Sequence, residues 1–280
     1  MPEADVIHSD AMPNTAETLA ADLRQCGLAA GQSVIVHTAM RKIGWIAGGA
    51  QAVIQALLNV LGPEGTLMMP THTTNNTDPA MWQFPPVPKH WVPIIREQTP
   101  AYDPAITPTR EMGAVAELFR HWPGVIRSDH PVTSFAAHGK HAEFLINDHA
   151  LTSETGEQSP VARLYDLDGY VLLIGVNHFN NTSLHLAEER AEYAGKGWFT
   201  QGTAVLVDGK RQWVTFETFD SYADDFGAIG DAFDAAHNIK MCMVGQADTR
   251  FFRQRAVIDF AKTWIENHRD LGAEKANGAG

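Results

Sequence analysis

The hydrophobic pattern of the first 70 residues alternates between the spacing of a helix and that of a strand. Thr15 can cap a helix in which Leu19 and Leu23 share a face, and Gly27 lies where that helix should end. Apolar runs at residues 33–37 and 66–69 flank residues 50–60, whose apolar side chains form one helical stripe. Strand, helix and strand within about 40 residues predict a parallel pair joined by a crossover.

The same two spacings recur along the rest of the chain. They predict strands at 134–138 and 170–176, and helices at 112–122, 141–149, 161–166, 182–194, 226–236 and 250–268. Asp208-Gly209, between 204–207 and 212–219, predicts a β-hairpin that joins the sheet. The expected fold is therefore α/β, a mixed central sheet with a parallel part and an antiparallel hairpin, and helices on both faces.

Residues 70–108 interrupt this pattern. Proline recurs throughout the segment, with Trp82, Trp91 and Tyr102 between, which predicts a long ordered loop without a regular element, packed over a site. Residues 1–272 are expected to form a single domain that includes this substrate-side loop. The small-residue tail 273–280 is expected to be disordered.

Charge and cysteine usage exclude several classes of protein. Lys plus Arg is 21 and Asp plus Glu is 33, a net charge of −12, which argues against nucleic acid as a partner. Cys26 and Cys242 are far apart and fit neither a disulfide framework nor a metal cluster. The N-terminus lacks a secretory signal, and no apolar run approaches the roughly 20 residues of a membrane span. We therefore expect a cytoplasmic protein with no membrane partner.

Polar residues follow the buried strand near residue 174, where ligands of open α/β sheets bind. His178 lies in this stretch, either as an incidental member of a helix-capping cluster or as a functional group. His185 and Glu188, three residues apart on one helical face, resemble half of a metal site, but no third ligand is nearby. Segments 36–49, 106–113 and 128–137 also lie at strand ends or helix starts, without a Walker or dinucleotide spacing.

These four segments together resemble the aminoglycoside N3-acetyltransferase family, the antibiotic N-acetyltransferase fold that is distinct from the GNAT fold. The likeness spans roughly residues 19–268. It rests on five motifs in order: H-T-A-M at 37, T-P-T-R-x-M-G at 107, R-S-x-H-P-x-x-S-F-A-A at 127, G-E-x-S-P at 156 and G-V-N-H-x-x-N-T-S-L-H-L-A-E at 175. The resemblance implies metal-free transfer of an acetyl group from acetyl-coenzyme A to the 3-amino group of a 2-deoxystreptamine aminoglycoside, and hence antibiotic resistance.

The resemblance also implies where the two substrates bind. Residues expected to contact coenzyme A are His37, Thr38, Ala39, Met40, Gly48, Gly49, Thr109, Arg110, Met112, Gly113 and Ser134. An aminoglycoside is a polycation, which an acidic cleft attracts. The candidate acidic contacts are Asp78, Glu154, Glu157, Glu188, Glu189, Asp224 and Asp225.

Acetyl transfer to an amine needs a base that titrates near neutral pH, and histidine is the side chain with that property. His178 is the predicted base, and Glu217, which shares a strand face with two aromatics, is predicted to orient it. A donor at or near Thr38 would stabilise the oxyanion. Direct transfer in a ternary complex is expected because neither cysteine lies in a motif. His37 and His130 fit either loop-holding or ligand-contacting roles equally well.

Three other functions remain open at this point. An acetyltransferase of the same fold acting on another small amine would share the motifs. A metal-dependent hydrolase built from the 13 histidines lacks a ligand set. A non-catalytic ligand-binding protein would differ in releasing no thiol from acetyl-coenzyme A when amine is added.

Overall fold

The computed structural model describes residue 7 and residues 12–272, so the predicted tail at 273–280 lies outside the described residues. The strands are β1 (Ser33–Thr38), β2 (Thr66–Pro70), β3 (Ile126–Arg127), β4 (Phe135–Gly139), β5 (Tyr170–Ile174), β6 (Trp198–Val207), β7 (Lys210–Phe219), β8 (Cys242–Val244) and β9 (Ala247–Arg253). The helices are α1 (Ala16–Gln25), α2 (Gly49–Leu61), α3 (Val92–Gln98), α4 (Gly113–Phe119), α5 (Ala142–Ile146), α6 (Pro160–Asp166), α7 (Ser183–Arg190), α8 (Phe226–His237) and α9 (Gln254–His268).

A seven-stranded mixed sheet forms the centre of the described chain, in the order β3-β4-β2-β1-β5-β9-β8. β1 runs parallel to β2 and β5, and the other neighbouring strands are antiparallel. Side chains of α1, α2 and α4 pack on one face of the sheet, and those of α5 to α9 pack on the other. Burial on both faces explains why β1, β2 and β5 are continuous apolar runs. The predicted fold class and the parallel crossover are confirmed.

The predicted hairpin forms but does not join the central sheet. Asp208 and Gly209 both have positive φ, 50° and 72°, as a two-residue hairpin turn requires. β6 and β7 then pair only with each other among the described strands, as a separate two-stranded ribbon, so the expected junction is wrong. The ribbon lies against the proline-rich segment instead, where Tyr102 N–H donates to Ala204 O at 2.9 Å.

Two expectations about local structure are corrected. The segment 70–108 contains a helix, α3, although no regular element was expected there. Pro93 lies in the first turn of α3, where the backbone N–H groups have no partner within the helix, so proline is tolerated. The helix predicted over 250–268 is divided: residues 247–253 are strand β9, and α9 begins at Gln254. The alternation of buried and exposed residues in β9 is interrupted at Arg250 and Phe251, which obscured the strand.

The two cysteines also depart from expectation. Cys26 caps the C-terminus of α1 and Cys242 lies in the edge strand β8, which brings their α-carbons to 5.5 Å. They form a disulfide, so the expectation of unpaired thiols is wrong. None of the helices in residues 12–272 is long and apolar enough to cross a lipid bilayer.

Candidate active site

A cleft of about 120 Å³ opens at the carboxyl ends of β1 and β2. The chain after these two strands supplies one wall, and the segments that lead into α4 and α7 supply the others. The lining residues are Val36, His37, Thr38, Met69, Pro70, His72, Glu111, Met112, Ala116, Val176, Asn180 and Thr182. The cleft therefore lies where open α/β sheets bind their ligands.

Three polar atoms in this cleft are buried without a hydrogen-bond partner among the described residues: His37 Nε2, Thr38 Oγ1 and His72 Nε2. Burial lowers the pKa of His37 to about 3, and burial followed by the charge of His185 lowers the pKa of His72 to about 3. Both rings are therefore neutral near pH 7. An unsatisfied buried polar atom costs roughly 1–3 kcal/mol, which a polar ligand would relieve.

His185 lies one helical turn from the cleft, and Glu188 lies in the next turn of α7. The backbone N–H of His185 donates to the carbonyl of Thr182, a cleft residue, at 3.2 Å. His185 Nδ1 is 3.3 Å from Glu188 Oε2. The His185 side chain is 25% exposed, whereas Glu188 is 0% exposed. An accessible imidazole held by a buried carboxylate is the arrangement of a general base and its orienting acid.

The sequence analysis noted that this pair resembles half of a metal site, found no third ligand nearby, and proposed Glu188 as a substrate contact instead. Within residues 12–272, no group of three or more His, Cys, Asp or Glu side chains is arranged to hold a metal ion. The i, i+3 spacing brings the two side chains together on one helix face for either purpose. The signal was present in the sequence, and two features of the structure favour the acid–base interpretation: the described residues supply no third ligand, and Glu188 is paired with Arg269.

His178 is buried away from the cleft, contrary to its predicted role as the base. Its side chain is 1% exposed, stacks on Phe252 at 5.3 Å and packs against Gly230 of α8. Its Nε2 is 3.0 Å from Asp234 Oδ1, and burial lowers the pKa of His178 despite that carboxylate. A base must reach the proton that it removes, and this ring, 1% exposed and covered by Phe252 and α8, is closed to a substrate.

Glu217 does not orient His178, so that predicted pairing is wrong. Glu217 is exposed on the outer face of β7 and accepts a hydrogen bond from Thr200. The alternation of a strand instead turns its neighbour Thr218 inward, where the hydroxyl donates to Glu154 at 3.0 Å. The carboxylate beside His178 is Asp234 of α8. The alternation of residues along a strand, from which Glu217 was chosen, gives no information about a helix.

The residues expected at coenzyme A divide into three groups. His37, Thr38 and Met112 line the cleft, and Arg110 lines a neighbouring groove that shares Glu111 with it. Ala39, Met40 and Gly113 follow β1 or begin α4 beside the cleft. The remaining four do not line the cleft. Ser134 Oγ donates to Thr71 O at 2.7 Å, and the Thr109 hydroxyl donates to Glu117. Gly48 and Gly49 lie at the start of α2 near Asn14.

The acidic candidates are mostly paired with arginines. Bidentate contacts join Asp78 to Arg96, Glu157 to Arg190 and Asp225 to Arg269, and Glu188 is buried against Arg269. Glu188 is therefore wrong as a substrate contact. Among the described residues no arginine or lysine lies within ion-pair distance of Glu154, Glu189 or Asp224. Burial and the charge of Glu157 raise the pKa of Glu189 to about 7.

The two histidines with open roles have different surroundings. His37 lines the cleft. His130 is buried, and its Nδ1 accepts the backbone N–H groups of Val132 and Thr133 at 3.2 and 3.0 Å. Burial lowers the pKa of His130 to about 4. His130 therefore holds loops together.

Comparison with known proteins agrees with this geometry. The sequence profile of the family described as aminoglycoside 3-N-acetyltransferase matches residues 35–266. The chain is 42% identical over 271 residues to the SPbeta prophage-derived aminoglycoside N(3′)-acetyltransferase-like protein YokD of Bacillus subtilis, covering 96% of this chain and 99% of that protein. It is 38% identical over 280 residues to aminoglycoside N(3)-acetyltransferase VII of Streptomyces paromomycinus, covering 95% and 96%.

Solved structures give the same result. The crystal structure of YokD superposes with a TM-score of 0.92, covering 95% of this chain and 98% of that one. AAC-IIIb in binary complex with CoASH and AAC-VIa bound to sisomicin each superpose with a TM-score of 0.83 at 30% identity. They cover 92% and 91% of this chain, and 98% of their own chains. The chain therefore belongs to the aminoglycoside 3-N-acetyltransferase family and is a transferase of that kind.

Proposed function

We propose that the chain transfers the acetyl group of acetyl-coenzyme A directly to the 3-amino group of a 2-deoxystreptamine aminoglycoside, conferring resistance, with His185 as the general base. The observation that carries this proposal is the His185–Glu188 pair, in which His185 lies one helical turn from a cleft lined by unpartnered polar atoms. CoASH in one relative and sisomicin in another support the two substrate classes.

The base acts on the acceptor amine. An ammonium ion has no lone pair, so it must lose a proton before nitrogen attacks the thioester carbon. When Nδ1–H of His185 is donated to Glu188, the lone pair of the ring is on Nε2. This nitrogen accepts the proton as the N–C bond forms, and the Glu188 carboxylate stabilises the resulting imidazolium.

The cleft stabilises the charge that develops on the thioester. Its carbonyl oxygen becomes an oxyanion as the amine adds, and Thr38 Oγ1 is a hydroxyl donor free to bind it. The neutral ring of His72 is a second donor when its proton is on Nε2. The C–S bond then breaks, and the thiolate of coenzyme A takes the proton from His185 and leaves as thiol.

The acidic groups without an arginine partner bind the polycationic acceptor. Glu154 interacts with the charge of His185, and burial raises the pKa of Glu154 despite the hydrogen bond from Thr218. Glu189 is near enough to Glu154 and Glu157 for the charges of both carboxylates to raise its pKa. Ammonium groups bound here would favour the ionised form of each carboxyl group.

The test is thiol release from acetyl-coenzyme A with a panel of 2-deoxystreptamine aminoglycosides and simple monoamines, followed by NMR mapping of the product. We expect turnover with one or more aminoglycosides and acetylation at the 3-amino group. Turnover of a monoamine in preference to every aminoglycoside would instead support the same-fold acetyltransferase of a small amine. Absence of thiol release with all amines would contradict catalysis altogether.

A further inference from the structure

Glu188 is enclosed by donors from three separate parts of the chain. Its Oε1 accepts from Arg269 Nη1 at 2.6 Å, from the backbone N–H of Tyr222 at 2.6 Å and from the Tyr193 hydroxyl at 3.4 Å. Its Oε2 faces His185 Nδ1. One oxygen is thus fixed by the protein interior, which leaves the other for the imidazole.

Arg269 is the cation of this cluster, and it is itself rigidly held. Its side chain is 2% exposed. Two further donors, Nε and Nη2, bind the two oxygens of Asp225 at 2.9 and 2.7 Å. The guanidinium also lies over the rings of Tyr193 and Tyr222, 4.9 and 5.3 Å from their centroids. A planar fork with this many partners has essentially one orientation.

From this geometry we infer that Arg269 is a positioning residue for the acetyl-transfer site, acting on His185 through Glu188. The inference rests on the proposed function, in which His185 is the base. The Arg269 side chain is 2% exposed, so it acts without touching either substrate. It follows the last turn of α9 and lies beyond residue 266, where the match to the family profile ends.

The physical reason is the burial of Glu188. A carboxylate that is 0% exposed keeps its negative charge only beside a countercharge or several donors. Without Arg269, Glu188 would take up a proton or turn away, and His185 Nδ1–H would lose its acceptor. The imidazole would then be free to exchange tautomers, and Nε2 would no longer hold the lone pair that the amine requires.

The experiment compares Arg269→Gln with Arg269→Lys and a matched control, Arg255→Gln. Arg255 lies in the first turn of α9 and, like Arg269, stacks on a tyrosine, Tyr165, at 4.8 Å, but it contacts neither Glu188 nor Asp225 in the described structure. We expect Arg269→Gln to lower kcat about 100-fold with KM for acetyl-coenzyme A changed less than about threefold, because the loss is in transition-state stabilisation. Arg269→Lys should recover part of kcat, and Arg255→Gln should match wild type.

Two further readouts separate positioning from a merely structural role. The ¹⁵N shifts of His185 should report one tautomer in wild type and a mixture in Arg269→Gln, whether or not His185 is the base. Guanidinium ions added to Arg269→Ala should restore part of kcat. A folded Arg269→Gln with unchanged kcat and an unchanged His185 tautomer would overturn the inference, as would a loss of kcat with the tautomer unchanged.

Folding and the identity of the base are controlled separately. If Arg269→Gln fails to fold, Asp225→Asn keeps the guanidinium but removes its bidentate partner, and we expect a smaller loss of kcat with the same change in tautomer. An unchanged tautomer and kcat in folded Asp225→Asn would count against the inference. If His185→Asn keeps kcat while Arg269→Gln still changes the tautomer, the positioning contact stands and the proposed base is wrong.

Discussion

Histidines of this chain have the same side chain but very different surroundings. His178 and His130 are enclosed by apolar side chains or backbone donors, and burial lowers the pKa of each. At the cleft His37 is buried and His72 is half-buried, and Nε2 of each is buried without a partner among the described residues. His185 combines a carboxylate partner with an exposed edge. Of these five, His185 is therefore the one that we propose as the general base.

At this scale we predict opposite effects for two histidine substitutions. His185→Asn should lower kcat by about 10²–10⁴-fold with little loss of stability, as removal of a general base does. His178→Asn should lower the thermal midpoint, because the ring fills space between α8 and β9, while the folded enzyme keeps kcat within a few fold. Steady-state kinetics and thermal unfolding of both variants are the measurements, and the reverse pattern would restore His178 as the base.

Elements position these residues through close helix and strand contacts. α8 approaches His178 at Gly230, where an added β-carbon would lie 2.1–2.4 Å from the ring atoms. Gly227, one turn earlier in the same helix, has open space at the equivalent position. Gly230 is therefore required for the close packing of α8 on His178, whereas Gly227 makes no close contact that requires a glycine.

This difference predicts the result of two matched substitutions in α8. Gly230→Ala should destabilise the protein, because the ring of His178 is enclosed and has no room to move aside, and overpacking typically costs about 1–3 kcal/mol. Gly227→Ala should be neutral or stabilising by up to about 1 kcal/mol, through helix propensity. Urea unfolding gives both values, and equal effects would contradict the close approach of α8 to His178.

Periodicity determined most elements but not how they associate. The helix stripe at 50–60 and the apolar runs of β1, β2 and β5 were sufficient to predict their type and the parallel crossover. The hairpin turn was predictable from Asp208-Gly209, since few sequences accept positive φ twice in succession. The place of the ribbon was not, because it depends on hydrogen bonds to residues about 100 positions away, such as Tyr102 to Ala204.

The net charge of −12 does not show which acidic side chains are paired with arginines and which are not. Arginines neutralise Asp78, Glu157, Asp225 and Glu188, and the acidic groups without such partners include Glu154 and Glu189. Buried neutral histidines add a dependence of stability on pH. A group with a lowered folded-state pKa binds its proton more readily in the unfolded chain.

His130 shows whether stability rises or falls with pH. Its pKa is about 4 in the folded protein and 6.5 ordinarily, so the unfolded chain gains a proton that the folded chain excludes between those values. His130 therefore contributes stability at pH 7 that is lost as the pH falls from 6.5 to 4, about 3 kcal/mol in all. Glu189, whose pKa is raised, acts in the opposite direction.

We therefore predict that the unfolding free energy of wild type falls more steeply between pH 6.5 and pH 4.5 than that of His130→Asn. The variant should be less stable at pH 7, although its side-chain oxygen can still accept one of the backbone N–H groups. Urea unfolding across this pH range, compared between the two proteins, cancels the contributions of other groups. Parallel curves would show that His130 gains its proton in the folded state as well.

The sequence by itself determined the fold class, the order of most elements, the motifs of the family and the cleft residues His37, Thr38 and Met112. The elements follow from local propensity and hydrophobic spacing, which are properties of neighbouring residues, and the cleft residues follow from the resemblance of short motifs to a known family. Tertiary structure alone decided which histidine is accessible, which carboxylates are free and that Cys26 meets Cys242. Burial, ion pairing and the approach of Arg269 to Glu188 join residues far apart in sequence, and no local pattern encodes such contacts.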